Sequence, residues 1–384
     1  MIPFLDLKKI NEPYEIAFQE KLKSVLENGW YILGKEVETF EKAFAEYCES
    51  KYCIGVGNGF DALVLIFKGY IELGKLKKGD EVIVPANTYI ASILAILQAD
   101  LVPVLVEPRL ETYNINPDLI QEKITSKTKA ILAVHLYGQL AEMQKINKIA
   151  EKHNLIVVED AAQSHGIKKT QFLNSKFQLD GNLQFSDVTL SGVEEPQSAS
   201  AFSFYPGKNL GCLGDGGAIT TNDEALAKVL FSLRNYGSEK KYHNEFVGVN
   251  SRLDELQAGF LNLKLPNLDS DNEKRRAIAK RYLSGIKNSK IVLPFWDFSS
   301  NHVFHLFVIR TENREKLQEY LVQNNIQTVI HYPIPPHKQK AFSQWNNLSF
   351  PITEKIHNEV LSLPISPVLT ESEVDYIIEI LNQY

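Results

Sequence analysis

The first half of the chain alternates between two patterns of apolar positions. Apolar residues recur at helical spacing in the segments 13–28, 35–48, 62–73, 91–98 and 143–153. Between them lie short, continuously apolar runs at 81–84, 101–106, 130–135 and 155–160. Continuous runs that alternate with helices are typical of parallel strands buried on both faces. The pattern therefore predicts an α/β fold built on a largely parallel sheet.

The alternation is interrupted at 168–200, a polar segment rich in Ser, Gln and Asn with hints of one or two hairpins. Strand and helix patterns return after it, and a long helical stretch ends at Pro266. We expect a large domain at 1–265, carrying 168–200 as an unusual insertion, and a smaller domain at 266–384. In that second part the sequence predicts a strand at 302–309, a helix at 314–323, a proline-rich loop and closing helices.

Composition narrows the class of protein. The 384 residues carry a formal charge of only -6 without a basic block, which argues against nucleic acid or an anionic membrane as partner. No apolar run is long enough to span a bilayer, and the first residues lack the pattern of a secretory signal. Three cysteines without ligand spacing favour a reduced cytoplasmic location and no metal site.

Lys208 is the first candidate for chemistry. Pro206 and Gly207 precede it, and glycines 211, 214, 216 and 217 follow it closely. A lysine that bonds covalently to pyridoxal phosphate (PLP) has to reach the cofactor and still be displaced by substrate, which suits a tight turn. The alternative is an ordinary solvated loop lysine.

Two further residues stand at the end of the apolar run 155–160. Ligands of open α/β sheets bind beyond the carboxyl ends of the strands, so Asp160 is placed to hold a pyridinium nitrogen protonated. Gln163, three residues later, can donate to the ring oxygen of the same cofactor. A helix N-cap is the competing interpretation of Asp160.

Two turns near other strand ends add weaker signals. Gly57-Asn-Gly59, before a helix, can present backbone amides to a phosphate, although Asn-Gly is also a plain turn. Tyr89 follows another strand and can stack on a pyridine ring, or it can be a core residue.

Candidate substrate contacts lie further along. The loop 234–243 carries Lys241 and Tyr242, and Arg252 follows it at the start of a helix. The cationic side chains of Lys241 and Arg252 can bind a diphosphate. The alternative is that they belong to a solvated charged surface. His331 and Tyr332 precede a proline-rich loop that is typical of a rigid binding segment.

Taken together, these residues resemble the DegT/StrS family of nucleotide-sugar aminotransferases. The resemblance runs in order along nearly the whole chain through the segments 3–6, 57–59, 85–89, 135–138, 159–166, 202–211, 214–217 and 250–254. It implies the aspartate-aminotransferase fold (fold type I), with a mostly parallel seven-stranded sheet domain and a smaller C-terminal α+β domain. It also implies PLP as cofactor.

The resemblance assigns roles residue by residue. Lys208 would form the Schiff base and carry protons, Asp160 would pair with the pyridine nitrogen, Gln163 would contact the ring, and Tyr89 would stack on it. The remaining contacts would hold the cofactor phosphate, and they are Gly59, Phe60, Ser203 and, from a neighbouring subunit, Asn250. The resemblance therefore implies a homodimer with shared active sites.

The chain departs from the family pattern at two places. Gly207 stands where many relatives have Thr, and 48 residues separate Asp160 from Lys208, more than the family leads us to expect. The surplus coincides with the segment 168–200, which could alter the mouth of the site or the subunit contacts.

The local motifs look most like the branch that converts dTDP-3-keto-6-deoxyhexoses to 3-amino sugars with L-glutamate as amino donor. Substrate contacts are then expected from Tyr205, Lys241, Tyr242, Arg252, His331 and Tyr332. The alternatives are a 4-keto sugar aminotransferase acting on UDP- or dTDP-sugars and a non-catalytic PLP-binding regulator. A related PLP-dependent dehydratase carries histidine in place of the lysine, and Lys208 argues against that activity.

Overall fold

A computed structural model describes residues 1–167, 198–240 and 242–384. Seven strands form its main sheet: β1 Tyr52–Val56, β2 Glu81–Pro85, β3 Val102–Val106, β4 Thr128–Val134, β5 Ile156–Asp160, β6 Ser198–Ser203 and β7 Gly217–Thr221. Their order is β1-β7-β6-β5-β4-β2-β3. The four pairs from β6 to β3 are parallel, whereas β7 runs antiparallel to both neighbours. The predicted α/β fold with a mostly parallel seven-stranded sheet is confirmed.

Helices connect and cover these strands. Before the sheet and within its crossovers lie α1 Leu7–Asn11, α2 Glu15–Asn28, α3 Lys35–Tyr47, α4 Gly59–Glu72, α5 Ile90–Gln98, α6 Met143–His153 and α7 Glu224–Leu233. Later in the chain follow α8 Glu255–Lys264, α9 Leu268–Gly285, α10 Arg314–Gln323, α11 Pro351–Glu359 and α12 Glu371–Gln383. Two small antiparallel pairs complete the set: β8 Ser238–Lys240 with β9 His243–Asn244, and β10 Phe307–Arg310 with β11 Val360–Leu363.

The sheet is buried because its strands are apolar throughout. Every residue of β7 is buried, as are the last four residues of both β1 and β5. On one face α4 contributes the fully buried side chains of Ile66, Phe67 and Tyr70 to the largest apolar cluster. Removing these large side chains from water is the main source of stabilisation here, at roughly 1.5–3 kcal/mol for each fully buried one.

A second apolar cluster occupies the C-terminal part. It joins α9, α10 and α12 to the β10–β11 pair through buried residues such as Tyr282, Phe307, Leu321 and Ile377, and it also includes Ile2. The division into domains at 265 and 266 stays a prediction.

The expected strand at 302–309 is shorter than the apolar pattern suggested. The strand β10 begins only at Phe307, because Val303 N–H bonds to Gly138 O at 2.9 Å and Phe304 adopts a left-handed φ of 45°. This departure bends residues 302–306 towards the carboxyl edge of the main sheet.

The structure bears on three further expectations, which concern the segment 168–200, the cysteines, and membrane-spanning helices and metal sites. The segment 168–200 lies outside the described residues except for 198–200, which begin β6, so its predicted hairpins stay predictions. The three cysteines form no disulfide bond. Within 1–167, 198–240 and 242–384, no helix is long and apolar enough to cross a membrane, and no cluster of His, Cys, Asp and Glu could hold a metal ion.

Candidate active site

A cavity of about 470 Å³ opens at the carboxyl edge of the sheet. The strands β1, β2, β4, β5 and β6 all end at this edge, so the residues that follow them converge there. Most of the residues singled out from the sequence line it, namely Gly59, Phe60, Tyr89, Asp160, Gln163, Ser203, Tyr205, Lys208, His331 and Tyr332.

Lys208 sits on a tight turn after β6. Its N–H bonds to Tyr205 O at 2.8 Å, and a Cβ at Gly211 would lie 2.5 Å from Pro206 O, so this turn closes only with glycine there. The Nζ atom forms no hydrogen bond or ion pair with the described residues and faces the cavity. Burial lowers the pKa of Lys208 to about 8, although Asp160 acts in the opposite direction. An amine with a lowered pKa and no fixed partner is suited to covalent chemistry.

Asp160 ends β5 and is held by two donors. Ser92 Oγ donates to Asp160 Oδ2 at 2.7 Å, and the Ala162 N–H donates to Oδ1 at 3.2 Å. Because the Ser92 proton is used in this way, the neighbouring Thr88 hydroxyl, 2.9 Å away, donates to Ser92. The two donors hold the Asp160 carboxyl group in one position, from which it can pair with a ring nitrogen.

The amide of Gln163 is fixed from both ends. Its Oε1 accepts from the Tyr137 N–H at 2.6 Å, and its Nε2 donates to the Tyr332 hydroxyl at 3.1 Å. Gly138 makes the arrangement possible, since a Cβ there would lie 2.9 Å from Gln163 O and 2.8 Å from His305 N. Gln163 thus joins the sheet edge to the loop that carries Tyr332.

Two aromatic side chains form one wall of the cavity. The rings of Tyr89 and Tyr332 have centroids 5.0 Å apart at an angle of 35°. Tyr89 is 51% exposed, so it is a surface of the cavity and not a core residue. His331 lies beside them, with Nδ1 2.9 Å from Ser362 Oγ, and burial lowers its pKa to about 4.

The N-terminus of α4 also lines the cavity. The helix begins at Gly59, three residues before the apolar pattern, because the Asn58 side chain accepts from the Asp61 N–H at 2.8 Å. Gly59 and Phe60 are therefore in the first turn, where backbone amides have no partner within the helix. A Cβ at Gly59 would lie 2.6 Å from Ser203 Cβ, so glycine is required for this close approach. Free amides beside a hydroxyl form a site for phosphate.

Three residues from the sequence analysis, Tyr242, Asn250 and Arg252, do not line this cavity in a single chain. Asn250 is exposed, and Arg252 instead donates to Asn235 Oδ1 at 2.8 Å, with its guanidinium 5.7 Å from the Tyr236 ring. Tyr242 is 85% exposed, and Lys241 lies outside the described residues.

Sequence reasoning missed two residues of the site. Ser92 is the one polar residue of α5 before Gln98 at its end, and His305 is the polar residue within an apolar run at 303–309. Each was visible as a polar interruption of an apolar segment, but only the fold shows that Ser92 contacts Asp160 and that His305 lines the cavity.

Comparison with known proteins decides the family. The sequence model of the DegT/DnrJ/EryC1/StrS aminotransferase family matches residues 14–382. The chain belongs to this family. It is therefore an aminotransferase, and the cofactor of the family is PLP.

Individual relatives of this aminotransferase cover its full length. The chain is 58% identical to the dTDP-3-amino-3,6-dideoxy-alpha-D-galactopyranose transaminase of Aneurinibacillus thermoaerophilus, over 100% of this chain and 99% of that protein. It is 43% identical to the erythromycin biosynthesis sensory transduction protein EryC1 of Saccharopolyspora erythraea, over 99% and 98%. The crystal structure of S. venezuelae DesV in complex with a ketimine intermediate superposes with a TM-score of 0.89 at 42% identity, covering 100% of this chain and 98% of that one.

The residues at the cavity fit the cofactor of the family. The Lys208 amine has no partner among the described residues, and the carboxyl group of Asp160 faces the same space. The close approach of Gly59 to Ser203 leaves the first amides of α4 open to a phosphate. An amine, a carboxylate and an anion site in one cavity are the three groups that PLP requires.

Proposed function

We propose that this aminotransferase converts a dTDP-linked 3-keto-6-deoxyhexose to the 3-amino sugar, with L-glutamate as amino donor. The observation that carries the substrate assignment is the 58% identity, over the full length, to a transaminase named for a dTDP-3-amino-dideoxyhexose. The 3-keto branch was also the one that the local sequence motifs resemble.

Bound PLP would supply an electron sink that stabilises negative charge on the carbon losing its proton. Lys208 would hold the cofactor and move the proton. After the amino donor displaces it, Nζ takes the proton from the donor's α-carbon, and it later delivers a proton to C-3 of the sugar. The pKa of about 8 makes a neutral, proton-accepting amine available near neutral pH.

Asp160 and Gln163 would set the electronic state and the position of the ring. The Asp160 carboxyl group would stabilise a protonated ring nitrogen, and Ser92 holds that group in place. Gln163, held by the Tyr137 N–H, keeps the Tyr332 hydroxyl at the cavity wall. Tyr89 supplies an aromatic face against which a planar ring can pack.

The phosphate would bind at the start of α4, through the amides of Gly59 and Phe60 and the hydroxyl of Ser203. The exposed Tyr205 would contact the sugar, together with His331 and Tyr332. All three residues line the same cavity. The nucleotide would then bind to residues near the mouth of the cavity.

We also propose a homodimer whose subunits complete each other's sites. Asn250, Tyr242, Arg252 and Lys241 would then serve the cavity of the neighbouring subunit, with Asn250 at the phosphate. Exposed apolar side chains support an interface, among them Trp30 at 65%, Tyr31 at 53% and Val247 at 89%. We place the enzyme in the cytoplasm, a reducing compartment that agrees with three cysteines without a disulfide bond.

The substrate is tested by amination assays across a panel of dTDP- and UDP-linked 3-keto and 4-keto sugars with glutamate. We expect turnover of a dTDP-3-keto-6-deoxyhexose and an NMR spectrum of the product with nitrogen at C-3. Amination at C-4, or turnover only with UDP-sugars, would contradict the proposed substrate and leave the aminotransferase class intact.

Membership of an aminotransferase family argues against the alternative of a non-catalytic PLP-binding regulator. One observation points the other way, the sensory-transduction name of the Saccharopolyspora erythraea relative. The same panel separates the two functions, because a regulator would bind PLP without forming 2-oxoglutarate from glutamate.

A further inference from the structure

Helix α8 carries two polar residues that reach the turn of Lys208. Gln257 and Lys264 are seven residues apart, which is about two helical turns, so their side chains leave α8 on the same side. Lys264 is only 8% exposed, which is uncommon for a lysine. Neither residue has a part in the roles proposed so far.

The amine of Lys264 bonds to two acceptors. Its Nζ donates to Gly211 O at 2.7 Å and to Asn11 Oδ1 at 3.2 Å. Asn11 presents its oxygen to the lysine because its Nδ2 donates to Leu7 O at 2.8 Å, and a backbone carbonyl can only accept. Burial lowers the pKa of Lys264, since the charged form loses hydration. The two hydrogen bonds compensate for burying the amine.

The contact made by Gln257 lies two residues further along the same segment. Gln257 Oε1 accepts from the Leu213 N–H at 2.9 Å. Between the two contacts, the Cys212 N–H donates to Phe204 O at 2.8 Å. Residues 211–213 are therefore fixed by α8 and by the end of β6 together.

These anchors bear on Lys208 because its turn is closely packed. A Cβ at Gly211 would lie 2.5 Å from Pro206 O, so the two ends of the turn are in contact and a shift of Gly211 displaces Pro206. Lys208 lies between them in the chain, and its own N–H bonds to Tyr205 O at 2.8 Å. Since Nζ of Lys208 has no partner among the described residues, the backbone of this turn sets where the amine can reach.

We propose that Lys264 and Gln257 are positioning residues, which hold the backbone of the Lys208 turn in place while the lysine side chain leaves and rejoins the cofactor. The inference rests on the proposed function, in which Lys208 is displaced and moves a proton at two steps. A side chain that changes its partner returns to the same geometry only if its Cα stays fixed. Helix α8 supplies that fixed point.

Four variants and one control test this role. Lys264→Met removes the donors at similar length, whereas Lys264→Arg keeps donors. Gln257→Met removes the acceptor, whereas Gln257→Glu keeps it in the same shape. Gln257 is half-buried, so its two variants decide the question even where Lys264→Met fails to fold. Lys274→Met is the control, because this lysine of α9 is exposed and pairs only with Asp271 among the described residues.

Two quantities are measured. Amide hydrogen exchange of the apoenzyme is followed by mass spectrometry on the peptide that contains residues 205–213. The half-reaction of the holoenzyme with glutamate, without any sugar, is followed by absorbance. It gives the maximal rate constant and the glutamate concentration at half-maximal rate.

For Lys264→Met we expect exchange in the turn to be about tenfold faster, as for the loss of a strong hydrogen bond. The maximal rate constant should fall at least about tenfold, because Lys208 is misplaced, and the half-maximal glutamate concentration should change less than about threefold. Gln257→Met should change both quantities in the same direction by about threefold. Lys264→Arg and Gln257→Glu should lie closer to the parent enzyme, and Lys274→Met should match it.

Parental exchange and a parental rate constant in Gln257→Met and in folded Lys264→Met would overturn the proposal. So would faster exchange spread over the whole chain, or a Gln257→Glu variant as impaired as Gln257→Met, since a merely structural role gives those results. Failure of the proposed amino donor would instead appear as no half-reaction in the parent enzyme. Hydrogen exchange of the apoenzyme needs no donor, so it still tests the two positioning residues in that case.

Discussion

Ser92 donates a hydrogen bond to Asp160 across 68 residues of sequence, at 2.7 Å and in a buried position. It comes from helix α5 and holds the Asp160 carboxyl group in place at the end of β5. The contact links the crossover after β2 to the residue that we assign to the ring nitrogen of the cofactor.

We expect Asp160→Asn to lower kcat at least about 100-fold, because the isosteric amide cannot stabilise a protonated ring nitrogen. Ser92→Ala is the matched variant and should cost about tenfold, since a hydrogen bond to a charged group is worth about 1.5 kcal/mol or more. Steady-state kinetics with equal cofactor loading measures both. Equal activity of Asp160→Asn and the parent would remove Asp160 from the site.

Gly59→Ala should weaken cofactor binding, because its Cβ would lie 2.6 Å from Ser203 Cβ at the proposed phosphate site. Overpacking of this kind costs about 1–3 kcal/mol. The dissociation constant for PLP is measured by equilibrium titration of apoenzyme. Gly74→Ala, just past the other end of α4 with a φ of 69°, is the control. It should lose stability through backbone strain and keep its affinity for PLP.

The pH dependence of cofactor attachment follows from Lys208. Burial lowers its pKa to about 8. The neutral amine that attacks the cofactor aldehyde therefore becomes abundant at a pH about two units lower than for an ordinary lysine. The rate of attachment to apoenzyme should rise with pH and reach half its maximum near pH 8, by stopped-flow absorbance. A rate still rising steeply at pH 10 would indicate an ordinary solvated lysine.

Shared active sites predict complementation between two inactive variants. Lys208→Ala and Asn250→Ala subunits, unfolded and refolded together, should regain about a quarter of parental activity, because half of the dimers are mixed and each has one complete site. Size-exclusion chromatography with light scattering checks the dimer. If mixing restores no activity while the dimer forms, Asn250 does not act across the interface.

Much of the fold was predictable because the strands are buried on both faces and read as continuous apolar runs. The sequence also allowed three site residues to be predicted, because each stands at a strand end or on a turn of distinctive composition: Lys208, Asp160 and Gly59. Helix α4 began earlier than its apolar pattern because Asn58 caps it.

Other features were not predictable from local sequence. The placement of His305 at the cavity depends on Asn209, which is 96 residues away, and on the close approach of its backbone to Gly138. The apolar run at 302–309 suggested a strand, but tertiary contact with Gly138 bent its first half away from β10. Such contacts are set by packing between distant segments and leave no periodic trace.

The central claim is that Lys208 is the residue that binds PLP covalently. Borohydride reduction of the holoenzyme makes that link permanent, and peptide mass spectrometry then locates it. We predict that the cofactor mass appears on the peptide containing Lys208 and disappears from it when the amino donor is added before reduction. Cofactor mass on another lysine, or on none, would contradict the account.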